Sequence, residues 1–101
     1  MEDTISPAEL RAKLRSGEQL TVLDVREPYE FAARHIPHAV NYPVSRLTVT
    51  RPDLPKGLVV TVCEHGVRSE AARRLLAKAG YTVMSMRGGM ASWTWEVEKG
   101  H

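Results

Sequence analysis

Cys63 is the single cysteine in 101 residues, and the segment it opens, Cys63-Glu64-His65-Gly66-Val67-Arg68-Ser69, is the part of the chain whose residue types and spacing suit nucleophilic chemistry. The run before it, Leu58-Val59-Val60-Thr61-Val62, is apolar and β-branched and predicts a buried strand; the residues from about Ser69 to Ala79 predict a helix. A thiol on the last residue of a parallel strand, just ahead of a helix, lies at the carboxyl edge where open α/β sheets bind ligands. No proline interrupts Glu64 to Ser69, so every backbone N–H there is an available donor, and Gly66 can take the positive φ that a tight cradle demands. Such a nest at a helix start favours the thiolate, the nucleophilic form of cysteine, and Arg68 would add to the effect. The competing expectation is an inert core cysteine, since free Cys is among the most buried residue types.

The elements that must hold this loop are legible around it. Ser6-Pro7-Ala8-Glu9 carries a capping serine, a proline at the first helical position and a glutamate three after the cap, which predicts a helix to about Ser16. After Gly17, Leu20-Thr21-Val22-Leu23-Asp24-Val25 has the length and composition of a buried strand. Glu27 to Phe31 predicts a turn into a short helix, and Pro37 and Pro43 bracket a short strand over Ala39–Tyr42. Val44 to Thr50 allows either a short helix or irregular chain, and Pro52 and Pro55 mark a surface connection. Tyr81 to Met86 completes a strand, helix, strand unit with Leu58–Cys63, so the two strands are expected to be parallel. Gly88-Gly89 introduces an expected C-terminal helix, Met90 to Val97, bearing Trp93. Asp24 ends its strand at the same sheet edge as Cys63, and Asp24 with Arg26 is expected to form a hydrogen-bonded framework rather than to take part in chemistry.

Composition bounds the function. A 43% hydrophobic, 26% charged chain of this length is expected to form one α/β domain over residues 1–101. Its net charge of +2 includes no long run of like charge, so nucleic acid and membrane are not expected partners. Aromatics at 6% give no stacking platform for bases. The mild positive excess would help an anionic substrate approach, within a screening length of about 10 Å at roughly 0.1 M salt. A lone cysteine cannot form an intramolecular disulfide, and neither a leader nor a membrane span is visible, so the cytoplasm is the expected location. A zinc site is not expected, because His35, His38, His65 and His101 show no regular ligand spacing with the one cysteine.

The loop CEHGVRS at 63–69 resembles the active-site loop of the rhodanese family, in which four residues separate the cysteine from an arginine. LDVREPYEF at 23–31, HIPHAVNYP at 35–43 and GGMASW at 88–93 resemble the family's other motifs in the same order, so the likeness spans almost the whole chain. Arg34 and His38 depart from it, standing where many members have glycine. The resemblance implies a small, mostly parallel central sheet of about five strands with helices on both faces. It also implies a sulfurtransferase that carries sulfur as a persulfide on Cys63, moving it from a donor such as thiosulfate to cyanide or a thiol, with a sulfur-carrier protein as a further partner and no metal or organic cofactor. Glu64, His65, Gly66, Val67, Arg68 and Ser69 would then line the persulfide loop.

Several roles stay open at this level. His65 either donates a hydrogen bond to an incoming sulfonate or is a solvated loop residue. Arg68 either contacts the substrate or stabilises the cradle, and Ser69 either caps the helix or also hydrogen-bonds the cysteine sulfur. Phosphatases and arsenate reductases related to the family have five residues between cysteine and arginine, and the shorter loop here argues against them. A non-catalytic binding or sulfur-relay module is the other alternative, against which the complete loop with its cysteine argues.

Overall fold

The computed structural model describes residues 3–100; Met1, Glu2 and His101 lie outside the described residues, and with them one of the four histidines weighed above. In chain order the elements are β1 (Thr4–Ile5), α1 (Pro7–Arg15), β2 (Leu20–Asp24), α2 (Pro28–Ala33), β3 (Val40–Asn41), α3 (Val44–Leu47), β4 (Leu58–Val62), α4 (Val67–Lys78) and β5 (Val83–Met86), followed by a 3-10 turn at Gly89–Ser92. The five strands form one sheet in the order β1-β5-β4-β2-β3, and each neighbouring pair is parallel.

Alternation along the central strands divides the core. Val22, Val60 and Val62 face one layer with Leu10 of α1, Met90 and Trp93. Leu23, Val59 and Cys63 face the other with Leu47 of α3 and Ala72 and Leu76 of α4. Because both sheet faces are covered, β4 reads as a nearly unbroken apolar run instead of alternating polar and apolar residues. Thr61 is its one polar member; fully buried, it donates from Oγ1 to the carbonyl of Ser69 at 2.8 Å.

The capping box forms as its residues require: the Ser6 N–H donates to Glu9 Oε1 at 2.9 Å, and the Glu9 N–H donates to Ser6 Oγ at 3.0 Å. Two sequence expectations are corrected, and one short strand appears for which the sequence analysis held no expectation. The pair Thr4–Ile5, which carries no strand signal of its own, joins the sheet edge beside Ser85 and Met86 because β5 leaves that edge open. The helix after the cysteine begins at Val67, two residues before the expected start at Ser69, so Gly66 is its cap, at φ 101°. The expected helix from Met90 to Val97 is only the short 3-10 turn. Trp93 turns extended and is 3% exposed, its Nε1 donates to the Glu96 carbonyl at 2.9 Å, and Glu98 exchanges backbone hydrogen bonds with His35. Tertiary burial of Trp93 and that bridge outweigh the weak helix preference of a Trp-Thr-Trp stretch.

Candidate functional site

The register of the two central strands sets the site. Asp24 pairs with Val62, so the chain leaves β2 and β4 side by side at the carboxyl edge, and the Val25 N–H donates to the Val62 carbonyl at 2.9 Å. Cys63 follows directly. The loop then turns through Gly66 and enters α4, whose first-turn N–H groups have no helical partner. Two of the loop's amides point at the sulfur: Gly66 N–H donates to Cys63 Sγ at 3.0 Å, and Ser69 N–H donates at 3.2 Å. Ser69 Oγ lies 3.4 Å from Sγ and can accept from the thiol or, once the sulfur is ionised, turn and donate to it. The sulfur thus takes the place a capping side chain would hold. Ser69 is not itself the cap; it sits in the first turn and is buried.

Cys63 is 1% exposed and packs beside Leu23, Val25 and Leu76, as expected of a core cysteine, while two amides of the loop also meet its sulfur. The loop is held from beneath by the turn after β5. Met90 N–H donates to the Cys63 carbonyl at 2.8 Å, and Ala91 N–H donates to the Glu64 carbonyl at 3.0 Å. Gly89, at φ 63°, makes this approach possible, since a Cβ there would stand 2.5 Å from the Cys63 carbonyl oxygen.

Charged side chains ring the cradle in pairs. Arg26, 2% exposed, donates from Nε and Nη2 to the Asp24 carboxylate, from Nη1 to Glu64 Oε1 at 3.3 Å, and from Nη2 to the Arg34 carbonyl at 2.6 Å. Burial opposes its charge most strongly, but the hydrogen bonds and attraction of Asp24, joined by Glu64 and Glu30, outweigh it and hold the guanidinium above its usual range. Arg68 donates from both terminal nitrogens to both oxygens of Glu30, at 2.7 and 2.9 Å. Those bonds bring the Glu30 carboxyl down to about 2 against its partial burial, and the same bonds push Arg68 up. His65 and Val67 are exposed.

The structure therefore brings Asp24, Arg26, Glu64, Gly66, Arg68 and Ser69 together around Cys63. Glu30, Gly89 and Thr61 complete the arrangement and were not singled out by sequence reasoning. Glu30 lies inside the quoted segment 23–31, but nothing in its spacing announces that it would meet an arginine 38 positions later. The turn at Gly88-Gly89 was visible as a turn; its contact with the cysteine loop was not.

A parallel α/β sheet with a thiol in an amide nest at the carboxyl edge defines a class of cysteine-centred anion cradles. Comparison with known proteins narrows the class: residues 6–96 match the rhodanese-like domain, and the chain belongs to that family. It is 33% identical over 95 residues to a sulfurtransferase of Allochromatium vinosum, covering 92% of this chain and 89% of that protein. It is 34% identical over 96 residues to a putative sulfur carrier protein of Bacillus subtilis, covering 93% of this chain but only 52% of that longer protein. Among solved structures, a rhodanese-related protein of Thermoplasma volcanium superposes with a TM-score of 0.86 at 32% identity, covering 96% of this chain and 98% of that one.

Proposed function

We propose that the chain works as one sulfurtransferase domain in which Cys63 carries the transferred sulfur as a persulfide. The observation that carries this reading is the pair of amides, from Gly66 and Ser69, aimed at Cys63 Sγ. The thiolate attacks the outer sulfur of a sulfane donor such as thiosulfate; the S–S bond breaks and sulfite leaves with the bonding electrons. A thiol, cyanide or a sulfur-carrier protein then removes the sulfur and regenerates the thiolate. Neither step calls for a general base, because the nucleophile and the product persulfide are both anions that the fixed peptide dipoles stabilise.

In this reading Glu64, His65, Val67 and Arg68 form the mouth, Gly66 and Ser69 supply the anion-holding amides, and Asp24 with Arg26 braces the loop. Named relatives support sulfur transfer in general, as a sulfurtransferase and as a putative sulfur carrier. A free thiol suits a reducing compartment such as the cytoplasm. The test is intact mass after incubation with thiosulfate: the chain should gain about 32 Da, removable by a thiol, and the Cys63→Ala variant should gain nothing while staying folded. Equal gain in the variant would overturn the assignment.

A further inference from the structure

We propose that Arg34, which stands where many members of the family have glycine, is a positioning residue: its guanidinium lends positive charge to the cysteine cradle through two consecutive peptide units. This role deepens the sulfur-transfer reading and rests on it.

The path is continuous. Arg34 Nη2 donates to the Met90 carbonyl at 3.1 Å, and the N–H of that same peptide unit, on Ala91, donates to the Glu64 carbonyl at 3.0 Å. The Glu64 carbonyl shares its peptide unit with the His65 N–H. Among the described residues that N–H has no acceptor, and it stands directly before the Gly66 N–H that donates to Cys63 Sγ at 3.0 Å. Hydrogen bonds in series polarise one another, by roughly 10–30% per bond, so a cation at the head of the chain makes the last N–H a stronger donor to an anion in the cradle. The backbone of the same residue touches two other supports of the loop. Its carbonyl accepts from Arg26 Nη2 at 2.6 Å, and its N–H donates to the Glu30 carbonyl at 3.4 Å. Glycine at this position would keep both backbone bonds and lose only the guanidinium.

Charge is what the guanidinium adds. Arg26 is committed to Asp24 and Glu64, Arg68 to Glu30, and Arg87 lies 3.5 Å from Glu9. The Arg34 side chain meets a carbonyl and, among the described residues, no carboxylate. With it, three guanidiniums, of Arg26, Arg34 and Arg68, balance the three carboxylates of Asp24, Glu30 and Glu64 around the sulfur. Without it, the ring would hold one negative charge in excess beside a thiolate and a persulfide that are both anions. A unit charge on the order of 9 Å away in water changes the local concentration of a monoanion about twofold, and more where protein displaces the water.

Alkylation of Cys63 in the full chain by iodoacetate and by iodoacetamide tests this. Both reagents attack the same thiolate, so the ratio of their rates reads the potential at the sulfur and is blind to how much thiolate is present. Arg34→Gln keeps a donor for the Met90 carbonyl and removes the charge, whereas Arg34→Lys keeps both. The iodoacetate-to-iodoacetamide ratio should fall about two- to fourfold in Arg34→Gln and stay within about 1.5-fold of the unaltered chain in Arg34→Lys. An unchanged ratio in Arg34→Gln overturns the proposal, and so does an equal fall in Arg34→Lys, which would make Arg34 a purely structural tie. In the unaltered chain the ratio should fall as salt rises from about 20 to about 500 mM, and a flat or rising ratio overturns the proposal even if Arg34→Gln folds poorly. Loading by thiosulfate, followed as intact mass, should fall about four- to tenfold in Arg34→Gln because the donor is a dianion, and it decides the matter if Cys63 is too enclosed for either reagent. A charge-dependent ratio in a chain that takes up no sulfur leaves the role of Arg34 standing and removes the sulfur-transfer reading.

Discussion

His38 is the one non-glycine residue with a positive φ among the described residues, at 67°, and it stands where the family resemblance leads one to expect glycine. A side chain in that left-handed conformation costs about 1–2 kcal/mol, while glycine costs about 0.4–1 kcal/mol through the freer unfolded chain. His38→Gly should therefore stabilise the protein by about 0.5–1 kcal/mol, read as a higher midpoint in urea. Arg34, the other departure, needs no such relief. Its φ of −170° is ordinary extended backbone, and its side chain has found the Met90 carbonyl. The two substitutions of glycine thus differ in kind: one is tolerated under strain, the other contributes a contact.

At the scale of elements, the cysteine loop is a strand-to-helix junction pressed against a second turn. Gly89→Ala would drive a methyl to within 2.5 Å of the Cys63 and Glu64 backbone at a positive φ, so the loop or the turn must move. We expect a loss on the order of 2–4 kcal/mol together with a large fall in persulfide loading, measured by denaturation and intact mass on the same preparation. Ion pairs set the acid response. Hydrogen bonds from Arg68 hold Glu30 at about 2, and those from Arg73, helped by Ser85, hold Glu70 at about 2, against 4.5 for an ordinary glutamate. The unfolded chain therefore takes up these protons first. Both pairs contribute fully above about pH 4.5, and their contribution is lost as the pH falls through about 2. After allowance for solvent screening, each is worth on the order of 1 kcal/mol. Stability measured from pH 6 down to 2 should fall less steeply in the Glu30→Gln, Glu70→Gln double variant.

For the whole molecule, the two core layers are not equivalent in function. The layer of Leu23, Leu47, Ala72 and Leu76 fixes α4 against β4, and so fixes where the first-turn amides meet the sulfur. Leu76→Ala should cost about 2–5 kcal/mol, measured by denaturation, and slow loading as the helix start loosens. Thr61 acts in the same layer: its hydroxyl ties the Ser69 carbonyl to the interior of β4. The opposite layer, with Leu10, Met90 and Trp93, instead supports the turn that carries Gly89 beneath the loop.

The sequence by itself determined the elements whose signals are local. The Ser6 to Glu9 capping box, the unbroken apolar run of β4 and the glycine inside the cysteine loop each depend on neighbours within a few residues, and each formed in place. The setting of Cys63 was legible for the same reason, since a strand end, a free thiol and proline-free amides are all read along the chain. Tertiary structure decided what depends on residues far apart: the edge pairing of Thr4–Ile5, the abandonment of a helix after Met90 in favour of burying Trp93, and the assignment of Arg68 to Glu30. An arginine's partner is chosen by which carboxylate the fold carries to it, and no spacing rule along one strand or helix encodes that meeting.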